Sequence, residues 1–279
     1  VKVLGLEKEL KAGRYIFNGF VSVPKIVSLF AGGFAEGNDI RAVIPEGSNV
    51  WDIDEILSQA DISARGDFVK KFYADEGFLF PDTYRFKNSE EAGARMKDNF
   101  QVKTREILGG LNEQKNKETV IIASILEKEA KTEKDMRLVS GIIEKRIAAG
   151  MPFQIDATVS YGACLRRFQN FIEADETEFN SFRVSPKPNL TVSEFKYCDV
   201  SQIGVADEIK KDSEFNTYIH KGLPPAPISN PGLKALSAAV NPQKSDFWYY
   251  LSTRNGDEII FSETSAEHAQ NRKKYLGID

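Results

Sequence analysis

The sequence predicts an α+β fold, and three observations carry that expectation. Segments with a 3.6-residue apolar period recur along the chain, strand-like runs are short and few, and the clearest strand pair is an antiparallel hairpin near the C-terminus. That hairpin joins Phe247-Trp248-Tyr249-Tyr250-Leu251 to Glu258-Ile259-Ile260-Phe261 through Arg254-Asn255-Gly256-Asp257. A doubly wound sheet would instead alternate strands with helices. At 279 residues the chain is long enough for about two domains and a sizeable core.

From the N-terminus, Arg14-Tyr15-Ile16-Phe17 reads as a strand, and Val23 to Phe30 as a helix with Pro24 in its first turn and Gly32-Gly33 at its end. Ile40 to Ile44 alternates as a strand, Pro45-Glu46-Gly47 turns, and Ser48 or Asn49 caps a helix carrying Val50, Ile53, Ile56 and Leu57. A second helix follows around 64–74. The aromatic segment Phe78 to Phe86 contains Pro81 and reads as an edge strand or an ordered loop. A polar helix from Ser89 to Leu108 runs into Gly109-Gly110 and the charged stretch Asn112 to Lys117, the expected domain boundary.

After the boundary, Thr132 and Asp135 form a variant capping box for a helix that Gly150 stops. Phe153 to Gly162 reads as a short extended piece followed by a helix with Asp156 as cap. Residues 166–212 are weakly patterned and read as a surface insertion. Gly222 to Ile228, rich in proline, is neither helix nor central strand. Asn230-Pro231 opens a helix through Val240, and a capped helix from Ser265 to Tyr275 closes the pattern.

Composition narrows the function. A net charge of -4 and a pI near 5.5, with no basic stripe interleaved with aromatics, exclude a nucleic-acid footprint. Two cysteines without paired spacing and two isolated histidines, His220 and His268, point to no metal and no other cofactor. Cys164 and Cys198 either close a 34-residue loop as a disulfide or stay as two buried thiols. The longest apolar run, 120–126, is too short to span a bilayer. The chain starts at Val1 without a methionine, the expected mark of a trimmed targeting or anchoring segment.

Candidate chemistry centres on Val120-Ile121-Ile122-Ala123-Ser124-Ile125-Leu126-Glu127-Lys128-Glu129, an apolar helical run that ends on acids. A carboxyl group held at the edge of such a helix loses water, its pKa rises, and it becomes fit for general acid work. Residues two apart on a helix point about 200° from each other. Glu127 therefore shares a face with Ser124, and Glu129 faces elsewhere. Glu127 is then a candidate acid, or both glutamates simply mark where a core helix surfaces. Ser124 either holds the Glu127 carboxyl or bonds back to its own helix.

With these elements in order, the chain resembles the endolytic murein transglycosylases, the MltG or YceG-like family. The resemblance rests on Ile125-Leu126-Glu127-Lys128-Glu129, on Phe153-Gln154-Ile155-Asp156-Ala157-Thr158-Val159 with Tyr161-Gly162, and on Asn216-Thr217-Tyr218. Gly222-Leu223-Pro224-Pro225 with Pro227-Ile228, Asn230-Pro231-Gly232 and, upstream, Phe80-Pro81-Asp82-Thr83-Tyr84 extend it. The chain departs from the usual pattern at Ile155, Ala157 and Ala226, which stand for Thr, Pro and Gly and bear on loop shape.

The resemblance implies a lyase that cuts the bond between N-acetylmuramic acid and N-acetylglucosamine inside nascent glycan strands and leaves 1,6-anhydro ends. One glutamate, Glu127, would act as acid and then as base, and Gln154, Asp156, Tyr161, Asn216 and Tyr218 would line the glycan cleft together with Ser124. It further implies an N-terminal segment at 1–35, a LysM-like subdomain with connecting helix at 36–110, and a catalytic domain at 117–279 holding a long insertion at about 164–212. Peptidoglycan strands are the implied partner, with peptidoglycan synthases beside them. The implied setting is the cell membrane, crossed once by a tether outside this chain, with the catalytic part on the extracytoplasmic side. Two alternatives stay open. Asp156 is either a helix cap or the second carboxylate of a muramidase that hydrolyses the same bond. A noncatalytic glycan-binding scaffold of the same fold is the other.

Overall fold

The computed structural model describes residues 21–32, 39–181 and 198–277. Their secondary structure is predominantly helical with two small antiparallel sheets, as an α+β reading requires. The strand expected at Arg14 to Phe17 lies outside the described residues. Helix α1 is Val23–Gly32. Strand β1 (Ile40–Val43), helix α2 (Val50–Gln59), helix α3 (Asp67–Phe72) and strand β2 (Thr83–Phe86) follow, and β2 returns antiparallel to β1 with Ile40 opposite Phe86 and Val43 opposite Thr83.

Asn49 starts α2 through a full capping box. Its side chain accepts the Asp52 N–H at 3.0 Å while the Asp52 carboxylate accepts the Asn49 N–H at 3.0 Å, a device worth about 1 kcal/mol. The loop after α3 tightens into a 3-10 turn at Tyr73–Asp75, so the aromatic segment is part loop and part strand.

Helix α4 (Ser89–Leu108) leads through a short turn to α5 (Glu113–Glu129). The expected boundary at 109–117 is thus a tight turn and the first turn of a helix. A continuous core runs past it, from Ala42 and Trp51 through Phe100 and Ile125 to Ala239. Helix α6 (Glu133–Ala148) packs back on α5. Helix α7 (Asp156–Ser181) is longer than its weak patterning indicated and takes up the first part of the expected insertion. Beyond it, the short helix α8 (Val205–Glu208) returns to α7, where the buried Glu208 carboxylate pairs with Arg166 and Lys211.

Cys164 and Cys198 are joined as a disulfide with Cα atoms 5.6 Å apart, which ties the residues leading into α8 to α7. Helix α9 (Leu233–Val240) is buried against α5 and α6. It begins three residues after Asn230, which is therefore not its cap. Strands β3 (Tyr249–Ser252) and β4 (Ile259–Ser262) form the expected hairpin, and α10 (Ser265–Leu276), capped by Thr264, covers it.

Candidate active site

Helix α5 is buried from Thr119 to Leu126 and surfaces at its last turn, where Glu127 and Glu129 are both partly exposed. The apolar run fixes the axis, and the 200° between the two acids sends them to separate neighbourhoods.

Glu127 points at the loop before α9. Its Oε1 accepts the Gly232 N–H at 2.9 Å. Burial pushes its pKa up; the Gly232 N–H works against that, and the nearby Glu46 carboxylate adds to it. Glu46 lies so close to Gly232 that a Cβ there would strike its carboxylate. Asn230 holds these loops together. Its backbone exchanges hydrogen bonds with Gly47 and Ser48, both at 2.9 Å. Its side-chain oxygen accepts the N–H groups of Gly77 (2.8 Å) and Leu79 (2.9 Å), and its side-chain nitrogen donates to the Ser48 carbonyl (3.0 Å) and to Glu76 (2.6 Å). Every polar atom of Asn230 is engaged, so the 46–50, 76–79 and 228–232 segments form one rigid joint.

Glu76, at the floor of this joint, also accepts the Val50 N–H at the start of α2, at 2.9 Å. Complete burial pushes its pKa up to about 8. The Tyr161 hydroxyl bonds to it, and burial drives that phenol well above its usual range.

Glu129 points the other way, toward the start of α7, the 216–218 turn and strand β3. Burial pushes its pKa up to about 7, opposed by a hydrogen bond from the Tyr250 hydroxyl and reinforced by the charge of Asp156. Asp156 is exposed in the first turn of α7, and its Oδ1 accepts the Tyr218 hydroxyl at 2.5 Å. Burial first, then Asp156 and Glu129, raise the Tyr218 phenol, which therefore stays protonated and donates. The Tyr250 phenol is raised by burial and by Glu129. Behind them, Arg146 of α6 anchors the chain by donating to the carbonyls of Phe153 (2.5 Å) and Trp248 (3.0 Å through Nε).

The sequence-predicted residues divide accordingly. Asp156 and Tyr218 gather around Glu129. Gln154 stands exposed at the rim, held with φ of 55° by its N–H bond to the Thr217 carbonyl at 3.0 Å. Asn216 is buried and spends its side chain on the Ile209 and Lys211 carbonyls (3.0 and 2.9 Å) and on the Tyr218 N–H (3.0 Å), so it shapes the turn that presents Tyr218. Ser124 is fully buried. Its hydroxyl donates to Ile121 at 2.7 Å and accepts the Ile228 N–H at 3.0 Å, which fastens the proline-rich loop. Tyr161 is also buried, edge-on to Trp51 at 5.2 Å between ring centres, and cannot lie flat on a sugar beside either acid.

Glu129, Tyr250 and Glu46 were not among the expected site residues. Glu129 was set aside by the helical argument, correctly as to direction. The position of α7, which brings Asp156 to it, is not local to α5. Tyr250 carried no signal apart from an aromatic strand. Among the described residues no group of acids, histidines and cysteines is arranged to hold a metal ion.

Comparison with known proteins bears on the family and the fold. An endolytic murein transglycosylase of Bacillus subtilis (strain 168) is 24% identical over 299 residues, covering 95% of this chain and 73% of that protein. One from Streptococcus pneumoniae serotype 2 (strain D39 / NCTC 7466) is 25% identical over 209 residues, 73% of this chain but only 33% of its own length. The crystal structure of a yceG-like protein, lmo1499 of Listeria monocytogenes, superposes with a TM-score of 0.59 at 24% identity, over 96% of this chain and 87% of the other, and shows a shared fold. The family model described as the YceG-like family matches residues 1–274, and the chain belongs to that family.

Proposed function

We propose that the protein is an endolytic lytic transglycosylase of peptidoglycan in which Glu129, rather than Glu127, is the general acid and then the base. The observation that carries this reading is the convergence of Asp156, Tyr218 and Tyr250 on a partly exposed Glu129 whose pKa is pushed up to about 7. Such a carboxyl group holds a proton to donate near neutral pH and is a competent base once it has done so. Glu127 has its oxygen engaged by a backbone N–H and sits in a loop joint, a setting that suits structure better than proton transfer.

In the first step Glu129 gives its proton to the oxygen bridging N-acetylmuramic acid and N-acetylglucosamine, and the bond from that oxygen to the muramic C1 breaks. The C6 hydroxyl of the same muramic residue then closes on C1 and returns its proton to Glu129. The product is a 1,6-anhydro end, no water is consumed, and one carboxyl group suffices. Tyr250 orients Glu129, and the Asp156–Tyr218 pair offers an acidic, hydrogen-bonding surface to the sugar that carries developing positive charge. Gln154 stands at the rim to meet hydroxyl or N-acetyl groups.

The strand–helix–helix–strand unit at residues 40–86 supports the LysM-like reading of the first part of the chain. The Cys164–Cys198 disulfide supports an oxidising, extracytoplasmic setting. Among the described residues no helix is long and apolar enough to cross a membrane, and the tether and the neighbouring synthases belong to the same reading.

Hydrolysis is the second reading, favoured by the proximity of Asp156 to Glu129, since a muramidase needs two carboxyl groups. Digestion of uncrosslinked glycan strands followed by mass spectrometry separates the two. Anhydro ends, lighter by one water, are expected. Reducing ends would assign the muramidase, and intact strands would assign a scaffold.

A further inference from the structure

One cavity among the described residues contains neither Glu127 nor Glu129. It is an open groove of about 1220 Å³ between the first turns of α5, the 3-10 turn at Tyr73–Asp75, α7 and the proline-rich loop. Its apolar wall includes Phe78, Phe215 and Pro225, its polar wall includes Glu113, Gln114, Asn116 and Lys117, and Glu76 and Tyr161 also line it. A smaller cavity of about 410 Å³ shares Gln114, Lys117 and Pro225 and prolongs the groove along the loop.

Three features define a ligand. Glu113 and Lys117 are exposed, one turn apart on α5, and neither is in an ion pair among the described residues. Gln114, whose amide nitrogen donates to Glu118 at 2.9 Å, and Asn116, whose side-chain oxygen is buried without a hydrogen-bond partner, add amide groups. The facing wall takes small apolar groups. A ligand carrying carboxylate, amino and amide groups beside methyl side chains satisfies all three. A sugar chain without peptides offers only the lactyl carboxylate of each muramic residue and leaves Glu113 unused. Reach places the branch on a saccharide next to the one cut: Lys117 lies twelve residues before Glu129 on α5, about 18 Å along the axis and about 120° round it, beyond the roughly 17 Å of an extended five-residue peptide.

We propose that this groove binds the peptide branch of a peptidoglycan strand while the sugar backbone lies at Glu129. The proposal rests on the peptidoglycan reading above and supplies what the acid cluster lacks, a way to recognise which strands carry peptides. Lys117 takes a carboxylate of the branch, Glu113 an amine, and the amide side chains of Gln114 and Asn116 the peptide backbone.

The test measures binding to the full chain with both acids removed (Glu127→Gln and Glu129→Gln), so that turnover does not enter whichever acid is catalytic. The probes are uncrosslinked strands, the same strands stripped of peptides by an amidase, and the free stem peptide. Intact strands are expected to bind at least about tenfold more tightly than stripped ones, and the free peptide to bind by itself. Lys117→Glu, on an exposed side chain, is expected to weaken the free peptide and the intact strands about fivefold, and the stripped strands, which keep only lactyl carboxylates, by less. Equal binding of intact and stripped strands, or an unaltered affinity of Lys117→Glu for the peptide, would overturn the proposal. Cleavage by the unaltered chain is scored separately. Peptide binding without cleavage would sink the enzyme reading and keep the groove.

Discussion

Glu127 and Glu129 end the same helix two residues apart and keep opposite company. Glu127 meets a loop: a backbone N–H at 2.9 Å and an exposed carboxylate, beside a joint in which Asn230 has no polar atom left over. Glu129 meets side chains that can act: a phenol that bonds to it and a second acid–phenol pair next to it. Both carboxyl groups are partly desolvated, so a raised pKa does not tell them apart. The difference lies in what surrounds each, which teaches that proton-transfer chemistry is assigned by the groups converging on an acid.

Removal of the acids gives the largest expected contrast. Glu129→Gln should lower the cleavage rate by about a thousandfold, the scale of a lost general acid. Glu127→Gln, which keeps an acceptor for the Gly232 N–H, should lower it by less than about tenfold. Initial rates of strand cleavage read both.

Next in size is Asn230→Ala. It strips partners from two N–H groups, a carbonyl and Glu76, and should cost about 3 kcal/mol. A melting temperature lower by roughly 10 °C is expected, with the pH profile of cleavage unmoved because the Glu129 side is untouched. A profile that shifts would show the two regions to be coupled.

Glu76 sharpens the same division through pH. Its folded pKa, about 8, lies above its ordinary 4.5, so the ionised form is disfavoured in the fold. Stability is therefore full below about pH 4.5 and declines as pH rises through about 8. Glu76→Gln should flatten that decline in denaturant titrations across the same range.

The smallest effect is expected from Tyr250→Phe. The lost hydrogen bond favours ionised Glu129, so its removal raises the Glu129 pKa further and moves the alkaline limb of the pH–rate profile upward. The rate at the optimum should fall only a few-fold, about the net worth of one hydrogen bond.

Much of this was legible in the chain. Asn49 as a cap, the 89–108 helix, the 249–262 hairpin and the acid-ending α5 follow from local rules, since caps, apolar periods and turn residues act within a few positions. The site was legible in its parts and not in its grouping. Helical geometry separated Glu127 from Glu129, yet only the packing of α7 and the hairpin decides which of them meets Asp156 and Tyr218. Asn216, Ser124 and Tyr161 read as polar cleft residues because sequence does not reveal burial. Asn216 is spent on the turn that presents Tyr218, Ser124 on the proline-rich loop and Tyr161 on Glu76. Asn230 looked like a helix cap for the same reason, and its partners at Gly77 and Ser48 lie more than 150 residues away.

The most direct measurement compares Glu129→Gln and Glu127→Gln on one preparation of uncrosslinked strands, with products weighed by mass spectrometry and folding checked by melting. Anhydro-ended fragments from the unaltered chain and from Glu127→Gln, and none from a folded Glu129→Gln, are the predicted result. The reverse pattern, cleavage by Glu129→Gln and none by a folded Glu127→Gln, would contradict the assignment of the acid to the cluster at Glu129.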